Sequence, residues 1–178
     1  STFDLSRVSK SGAKFSLDKT RWFNQQYLQK KTDDQLAKLY LPILKTKNIQ
    51  RLPSINYIKS VVSLIKERAV FVKDFWSLSS YFFERPVEYN EKAVKKQWRE
   101  GTSDLINELI IVLDSIDDFS SASVEKKTKN WISSKEIGFG KVMQPLRLAI
   151  VGEMKGPHLF DIIHMIGKEE AILRLKTI

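Results

Sequence analysis

A chain of 178 residues with 42% hydrophobic and 29% charged residues has the make-up of a folded globular protein, long enough for one good core or two small adjoining ones. Those proportions exclude a disordered chain, and no apolar run nears the roughly 20 residues that cross a bilayer, so no membrane partner is expected. Thirty Lys and Arg against 21 Asp and Glu leave a net charge of +9, which points to a polyanion partner, most simply nucleic acid.

Seven glycines in the whole chain, with apolar spacings of three and four, predict helix almost throughout. Ser16 is an N-cap for a helix over Leu17 to Lys31 that carries Trp22, Phe23 and Tyr27 for packing. Thr32 and Gln35 form a capping box ahead of Leu36, Leu39, Tyr40 and Ile43. Pro53 and Ser54 open a helix with the stripe Ile55, Ile58, Val62 and Ile65, and an aromatic helix is predicted from about Val70 to Phe83. Residues 84–90, ERPVEYN, are a polar break containing proline. This break divides the expected all-α helical array into two adjoining subdomains, 1–87 and 88–178.

Beyond the break, Glu91 to Trp98 reads as a short basic helix, and Ser103 precedes a strong helix with Leu105, Ile106, Leu109, Ile110, Leu113 and Ile116. A Ser-rich turn at 120–123 leads into a helix around Val124 to Ile132, followed by a glycine-containing turn from Ile137 to Gly140. The segment 145–168, PLRLAIVGEMKGPHLFDIIHMIGK, predicts a short apolar helix, a turn closed by Gly156-Pro157, and a second helix ended by Gly167. The final helix, Lys168 to Lys176, has a basic last turn that suits the helix dipole.

Catalytic chemistry has no visible carrier. There is no cysteine, hence no disulfide or thiolate metal site, which fits a reducing cytoplasm. His164 sits among Ile162, Ile163, Met165 and Ile166 as a packed, hydrogen-bonded neighbour, and His158 has no triad or metal companions in view. Asp114, Asp117 and Asp118 lack the glycine and spacing of a calcium loop and are expected to solvate a helix end. No phosphate loop or dinucleotide fingerprint occurs, so no cofactor and no metal are expected for this chain.

Basic and aromatic residues are the better candidates. Residues 45–73 hold Lys45, Lys47, Arg51, Lys59, Lys66, Arg68 and Lys73 against only Glu67, which favours a basic face. Arg68 is either a helix-end surface residue or a planar fork for a base edge or phosphate. Arg147 lies inside an apolar helix, where a charge needs a partner or a task. Pro157 is by default the first residue of a helix; with Gly156 it would also let a nucleotide approach the backbone while Leu159 packs on the base. Trp76, Phe82 and Phe83 stand at helical spacing and are more often core than base-stacking platforms.

Three blocks in order carry a family resemblance: KFSLDKTRWFNQQYLQKKTDDQLAKLYLPIL (14–44), IKERAVFVKDF (65–75) and PLRLAIVGEMKGPHLFDIIHMIGKEEAILRL (145–175). Together they resemble the anticodon-binding region of bacterial glutamyl-tRNA synthetases, class I enzymes. The resemblance implies an α-helical cage that binds the anticodon loop of tRNA(Glu), expected as a monomer in the cytoplasm. It also implies a parent that joins glutamate to tRNA with ATP and Mg, the missing N-terminal catalytic domain being its neighbour. By itself this chain is then inactive, and its start at Ser1 agrees with a piece of a longer protein. Ser9-Lys10-Ser11, similar to the end of the Lys-Met-Ser-Lys-Ser loop of class I synthetases, is read as polar linker.

Carried over by the resemblance, Arg68 contacts the third anticodon base and Arg147 the first ones. Pro157 and Leu159 match the loop that packs on those bases. Gly156 stands where some relatives have a hydrogen-bonding side chain, and His158 adds bulk at the same turn. From the residues alone, a helical protein-interaction or scaffold domain with a basic face is the alternative.

Overall fold

Helix starts in this chain are set by short polar side chains that take up the free amides of a first turn. The Ser16 hydroxyl accepts from the Lys19 amide, Ser54 from Tyr57, Asn90 from Ala93 and Ser120 from Ser123. Thr32 and Gln35 complete the reciprocal capping box, at 3.2 Å and 3.1 Å. The computed structural model describes residues 16–47 and 49–178, and the Ser9-Lys10-Ser11 motif lies outside them. Among the described residues there are ten α-helices and no strand, as the spacing predicts.

In chain order these are α1 (Leu17–Lys30), α2 (Asp33–Lys45), α3 (Ile55–Ile65), α4 (Asp74–Ser79), α5 (Glu91–Gln97), α6 (Thr102–Asp114), α7 (Ser121–Ser134), α8 (Gly140–Val151), α9 (Leu159–Ile166) and α10 (Lys168–Thr177). Two departures from expectation bear on the site. The single helix foreseen from Val70 to Phe83 is instead the six-residue α4 followed by a tight 3-10 turn over Ser80–Phe82. The Asp74 carboxylate accepts from the amides of Val70 (3.1 Å) and Phe71 (2.8 Å), a local competitor that bends the backbone away from helix. At the other end Ser79 leaves helical geometry (φ −146°), so that Tyr81 and Phe82 both turn inward.

The second departure is α8, which starts at Gly140 and runs through Pro145. A proline there removes one helical hydrogen bond. Burial of Val142, Pro145, Leu146 and Ala149 on one face offsets that loss.

One continuous apolar cluster runs from Leu28 to Leu175. Helices α2, α3 and α4 pack together around Leu36, Tyr40, Leu44, Ile58 and Phe75, while α6 to α10 pack around Leu109, Leu113, Leu146, Phe160 and Ile163. Helix α5 lies on α8, and α9 touches the 3-10 turn of residues 80–82. The polar break crosses the end of α8 at Gly152, in left-handed backbone (φ +80°), whose carbonyl accepts from the Asn90 amide at 3.2 Å. A Cβ on Gly152 would stand 2.9 Å from Pro86 Cβ and 3.0 Å from the Glu88 carbonyl, so the approach requires glycine.

The tie between these layers is Arg174, only 3% exposed. Its Nη1 donates to the carbonyls of Tyr81 and Ile150, both at 2.8 Å, its Nη2 to Glu84 at 3.4 Å, and its Nε to Glu170 at 2.8 Å. Glu170 also receives a fork of bonds from Arg85, in the polar break. The basic last turn foreseen for α10 is present in Arg174 and Lys176, and Arg174 is in addition a buried crosslink. Burial raises the Glu170 carboxyl, but the bonds and charges of Arg85 and Arg174 outweigh it and hold the group below its ordinary value.

Arg174→Ala leaves the Tyr81 and Ile150 carbonyls without their donor and Glu170 with Arg85 alone, and the expected loss of unfolding free energy is about 2–4 kcal/mol, read by chemical denaturation. A loss below about 1 kcal/mol would mean that water or neighbouring groups replace the guanidinium without difficulty. Because Glu170 is depressed in the folded state, its stabilisation is present above the ordinary glutamate value near 4.5 and is lost as pH falls through the folded value. Thermal unfolding between pH 3 and 7 is expected to show this acid-side loss, and Glu170→Gln is expected to flatten it.

Candidate nucleic-acid interface

Arg68 ends a short 3-10 turn, Lys66–Arg68, that follows α3, and its side chain is exposed. The turn is held from two helices. From α1, Gln25 Nε2 donates to the Glu67 carbonyl at 3.1 Å, and the Asn24 amide group donates to the Val70 carbonyl. From α2, Asp33 pairs with Lys66 at 2.6 Å. A long side chain is thereby launched from a backbone that has little freedom, which lowers the entropy lost on gripping a ligand.

Arg147 projects from α8, half-buried, and its Nη2 donates to the Pro157 carbonyl at 3.0 Å. The charge in an apolar helix has found a partner, but only in part: Nη1 is buried with no hydrogen-bond partner. Close by is the Tyr81 hydroxyl, likewise buried and unpartnered. A Cβ built on Gly156 would lie 3.2 Å from Tyr81 Oη and 3.4 Å from Arg147 Nη1. Gly156 has φ +136°, so this turn suits glycine both in backbone and in space.

The charges here feel one another. Burial holds the Arg147 guanidinium below its ordinary value; Arg68 pushes the same way and Tyr81 opposes. Burial raises the Tyr81 phenol well above its ordinary value against the pull of Arg147 and Arg68, so at neutral pH it remains a neutral O–H donor.

A cleft of ≈ 640 Å³ opens at this point, lined by Arg68, Trp76, Tyr81, Arg85, Glu153 and Gly156 among others. Glu84, Glu88 and Lys155 also line it, so the cleft mixes both signs and is not a simple anion trap. Such a lining suits hydrogen-bonded recognition of a polar planar group better than bulk attraction. The bulk attraction is available alongside, where Lys45, Arg51, Lys59 and Lys73 are exposed. Other members of the basic stretch serve the fold: Lys66 pairs with Asp33, and Lys47 lies 5.0 Å above the Trp76 ring.

The foreseen site residues thus divide. Arg68 and Gly156 line the cleft, and Arg147 lies beside Gly156 without lining it. Pro157 is buried and contributes its carbonyl as the anchor of Arg147. Leu159 is 3% exposed, in the core beneath the turn, so direct packing of its side chain on a base does not fit this geometry. His158 is exposed but faces Glu125 and Asp161, at 3.8 Å and 3.7 Å, and is not part of the cleft lining.

The residues set aside as non-catalytic have structural partners. His164 Nδ1 donates to the Phe119 carbonyl at 2.8 Å, although its ring is more exposed than its apolar neighbours suggest. Asp118 accepts from Ser120, and these hydrogen bonds hold its carboxyl below its ordinary value at the start of α7. Phe82 is core, whereas Trp76 is half-buried, stacked on Phe83 at 12° between planes. Among the described residues no cluster of His, Cys, Asp or Glu has the makings of a metal site, and no helix is long and apolar enough to cross a membrane. Tyr81 is the site residue that sequence reasoning missed. The only signal for it was its place in the aromatic run SYFF, where a phenol looks like one more core ring.

Comparison with known proteins bears on this cleft. The chain is 54% identical to a glutamate–tRNA ligase of Flavobacterium psychrophilum over 174 residues, covering 98% of this chain and 34% of that protein. It is 45% identical to the glutamate–tRNA ligase of Bacteroides fragilis with the same coverage. The crystal structure of a glutamate tRNA ligase from Elizabethkingia meningosepticum, in complex with its amino acid, superposes with a TM-score of 0.89 at 41% identity. That match covers 98% of this chain and 34% of that one, so the chain spans about a third of the length of these relatives. A family model for the anticodon binding domain matches residues 35–178, from the first turn of α2 to the last residue, and the chain therefore belongs to the anticodon-binding domain family.

Proposed function

We propose that the chain is the anticodon-reading part of a glutamate–tRNA ligase and that it grips the single-stranded anticodon loop of tRNA(Glu). In this reading the remainder of the ligase joins glutamate to the tRNA with ATP and Mg, in the cytoplasm, and this chain alone is a monomer without catalytic activity. Arg68 reads the third anticodon base, favouring glutamate over glutamine anticodons, and Arg147 reads the first ones. Gly156 leaves room for a nucleotide, Pro157 holds Arg147 through its carbonyl, and Leu159 supports the turn from within the core. His158 sits at the rim. The two helical subdomains, 1–87 and 88–178, each supply one arginine.

The reading rests chiefly on one observation: two arginines from distant parts of the chain share an electrostatic neighbourhood beside a side-chain-free turn. A guanidinium presents a fixed fork of donors that matches base edges, and a splayed single-stranded base exposes such edges. The rival reading, a helical scaffold that meets acidic proteins, accounts for the basic surface but not for a cleft of mixed charge with free donors. It is not favoured by the family match either.

Arg68→Ala and Arg147→Ala are each expected to weaken binding of a tRNA(Glu) transcript by about 1–3 kcal/mol and to narrow the gap between cognate and altered anticodons. Filter binding with a set of anticodon variants measures both effects. Equal affinity of the wild-type chain for every anticodon variant would sink base reading. Affinity is also expected to fall with salt, with a log–log slope of about −0.7 per phosphate neutralised, and a flat salt response would argue against backbone contacts.

A further inference from the structure

The proposed anticodon reading leaves one pair of atoms without a role. Tyr81 Oη and Arg147 Nη1 are both buried and both lack a hydrogen-bond partner. Native folds rarely leave such groups unpaired, because each forgoes its bonds to water without replacement. Here both crowd the side of Gly156 where a side chain would begin: a Cβ there would stand 3.2 Å from the first and 3.4 Å from the second. The Tyr81 ring itself is fixed: it is 7% exposed, tilted on Phe82 at 4.8 Å between centroids, and its own carbonyl is held by Arg174. Its hydroxyl is therefore held in place by packing rather than by a hydrogen bond of its own.

Both groups can donate, although the phenol oxygen can also accept. A guanidinium N–H cannot accept, and the Tyr81 O–H is free to donate. Two donors converging on one space select an acceptor, and a neutral phenol beside a guanidinium gives that acceptor a planar, partly desolvated seat. The 640 Å³ cleft is lined by Tyr81 and Gly156, and Arg147 stands behind Gly156, outside that lining.

We propose that Tyr81 is a further specificity residue of the anticodon cleft: its hydroxyl and Arg147 Nη1 together bind one acceptor oxygen of the nucleotide that enters at Gly156. The oxygen belongs either to a base carbonyl or to a backbone phosphate, chemistry that the two donors accept alike. This inference rests on the anticodon-reading proposal above. It adds that Arg147 acts as one half of a two-donor seat, with Gly156 keeping a side chain clear of both donors.

The test is Tyr81→Phe, which removes the hydroxyl and keeps the packed ring. Because the free hydroxyl has no partner, the unliganded variant is expected to unfold at the same temperature as wild type or higher. Affinity for the tRNA(Glu) transcript is expected to drop about 3- to 10-fold, the worth of one hydrogen bond. If the acceptor is a base carbonyl, the drop disappears with the anticodon variant that lacks that carbonyl; if a phosphate, it persists for every anticodon. Wild-type affinity in Tyr81→Phe would overturn the inference, as would a variant whose only change is a lower unfolding temperature. Should Arg68→Ala and Arg147→Ala still lose anticodon discrimination in that case, the Tyr81 inference alone fails. Should neither variant alter tRNA binding, the anticodon-reading proposal fails with it.

Discussion

The structure depends on the hydrogen bonds of one buried guanidinium. Arg174 reaches from α10 to the carbonyl of Tyr81 in the 3-10 turn and to that of Ile150 near the end of α8. The first of these carries the Tyr81 ring into the cleft, and the second lies on the helix that carries Arg147. The positions of Tyr81 and Arg147 relative to each other thus trace back to a residue that is itself outside the cleft. Glu170 neutralises this charge and passes the tie on to Arg85 in the polar break. Burying such a charge is costly unless every donor is used, and here Nε, Nη1 and Nη2 all have acceptors.

Arg147 makes the opposite case. Its side chain is half-buried, with Nη2 satisfied and the buried Nη1 not. A fully bonded guanidinium has nothing left to offer a ligand, whereas a partly bonded one keeps a donor in a place where water competes weakly. The same contrast separates Tyr40, whose hydroxyl bonds Ser79 at 2.9 Å, from Tyr81, whose hydroxyl bonds nothing. Buried polar groups without a partner are few among the described residues: Thr128 Oγ1 in α7 and the pair Tyr81 Oη and Arg147 Nη1 beside Gly156.

Charge is divided in a similar way between long and short range. The exposed Lys45, Arg51, Lys59 and Lys73 attract a polyanion without reading it. The cleft has carboxylates beside its cations, and in the proposed reading it discriminates by hydrogen-bond geometry. Net charge points to the class of partner, while selection within that class rests with a handful of donors.

Much of this was legible in the residues. Ser16, Thr32, Ser54 and Ser120 mark helix starts because capping needs only a local side chain and the next few amides. The three-four stripes in α2, α3 and α6 foretell the core for the same reason, and Arg68 and Arg147 stand out as charges at telling positions. The break inside Val70–Phe83 was harder, because the aromatic pattern masked the capture of two amides by Asp74. Arg174 was not marked out, although it shares a stripe with Ala171 and Leu175, since its acceptors lie far away in the chain. Leu159 and His158 went opposite ways, into the core and toward Glu125, for reasons of packing that spacing does not encode. The sequence by itself determined the helices, the basic character and the family blocks, all of which depend on local bonding, composition or ordered words. Only the tertiary structure decided which buried donors go unpaired and which meet at Gly156, because hydrogen-bond satisfaction is a property of neighbours in space.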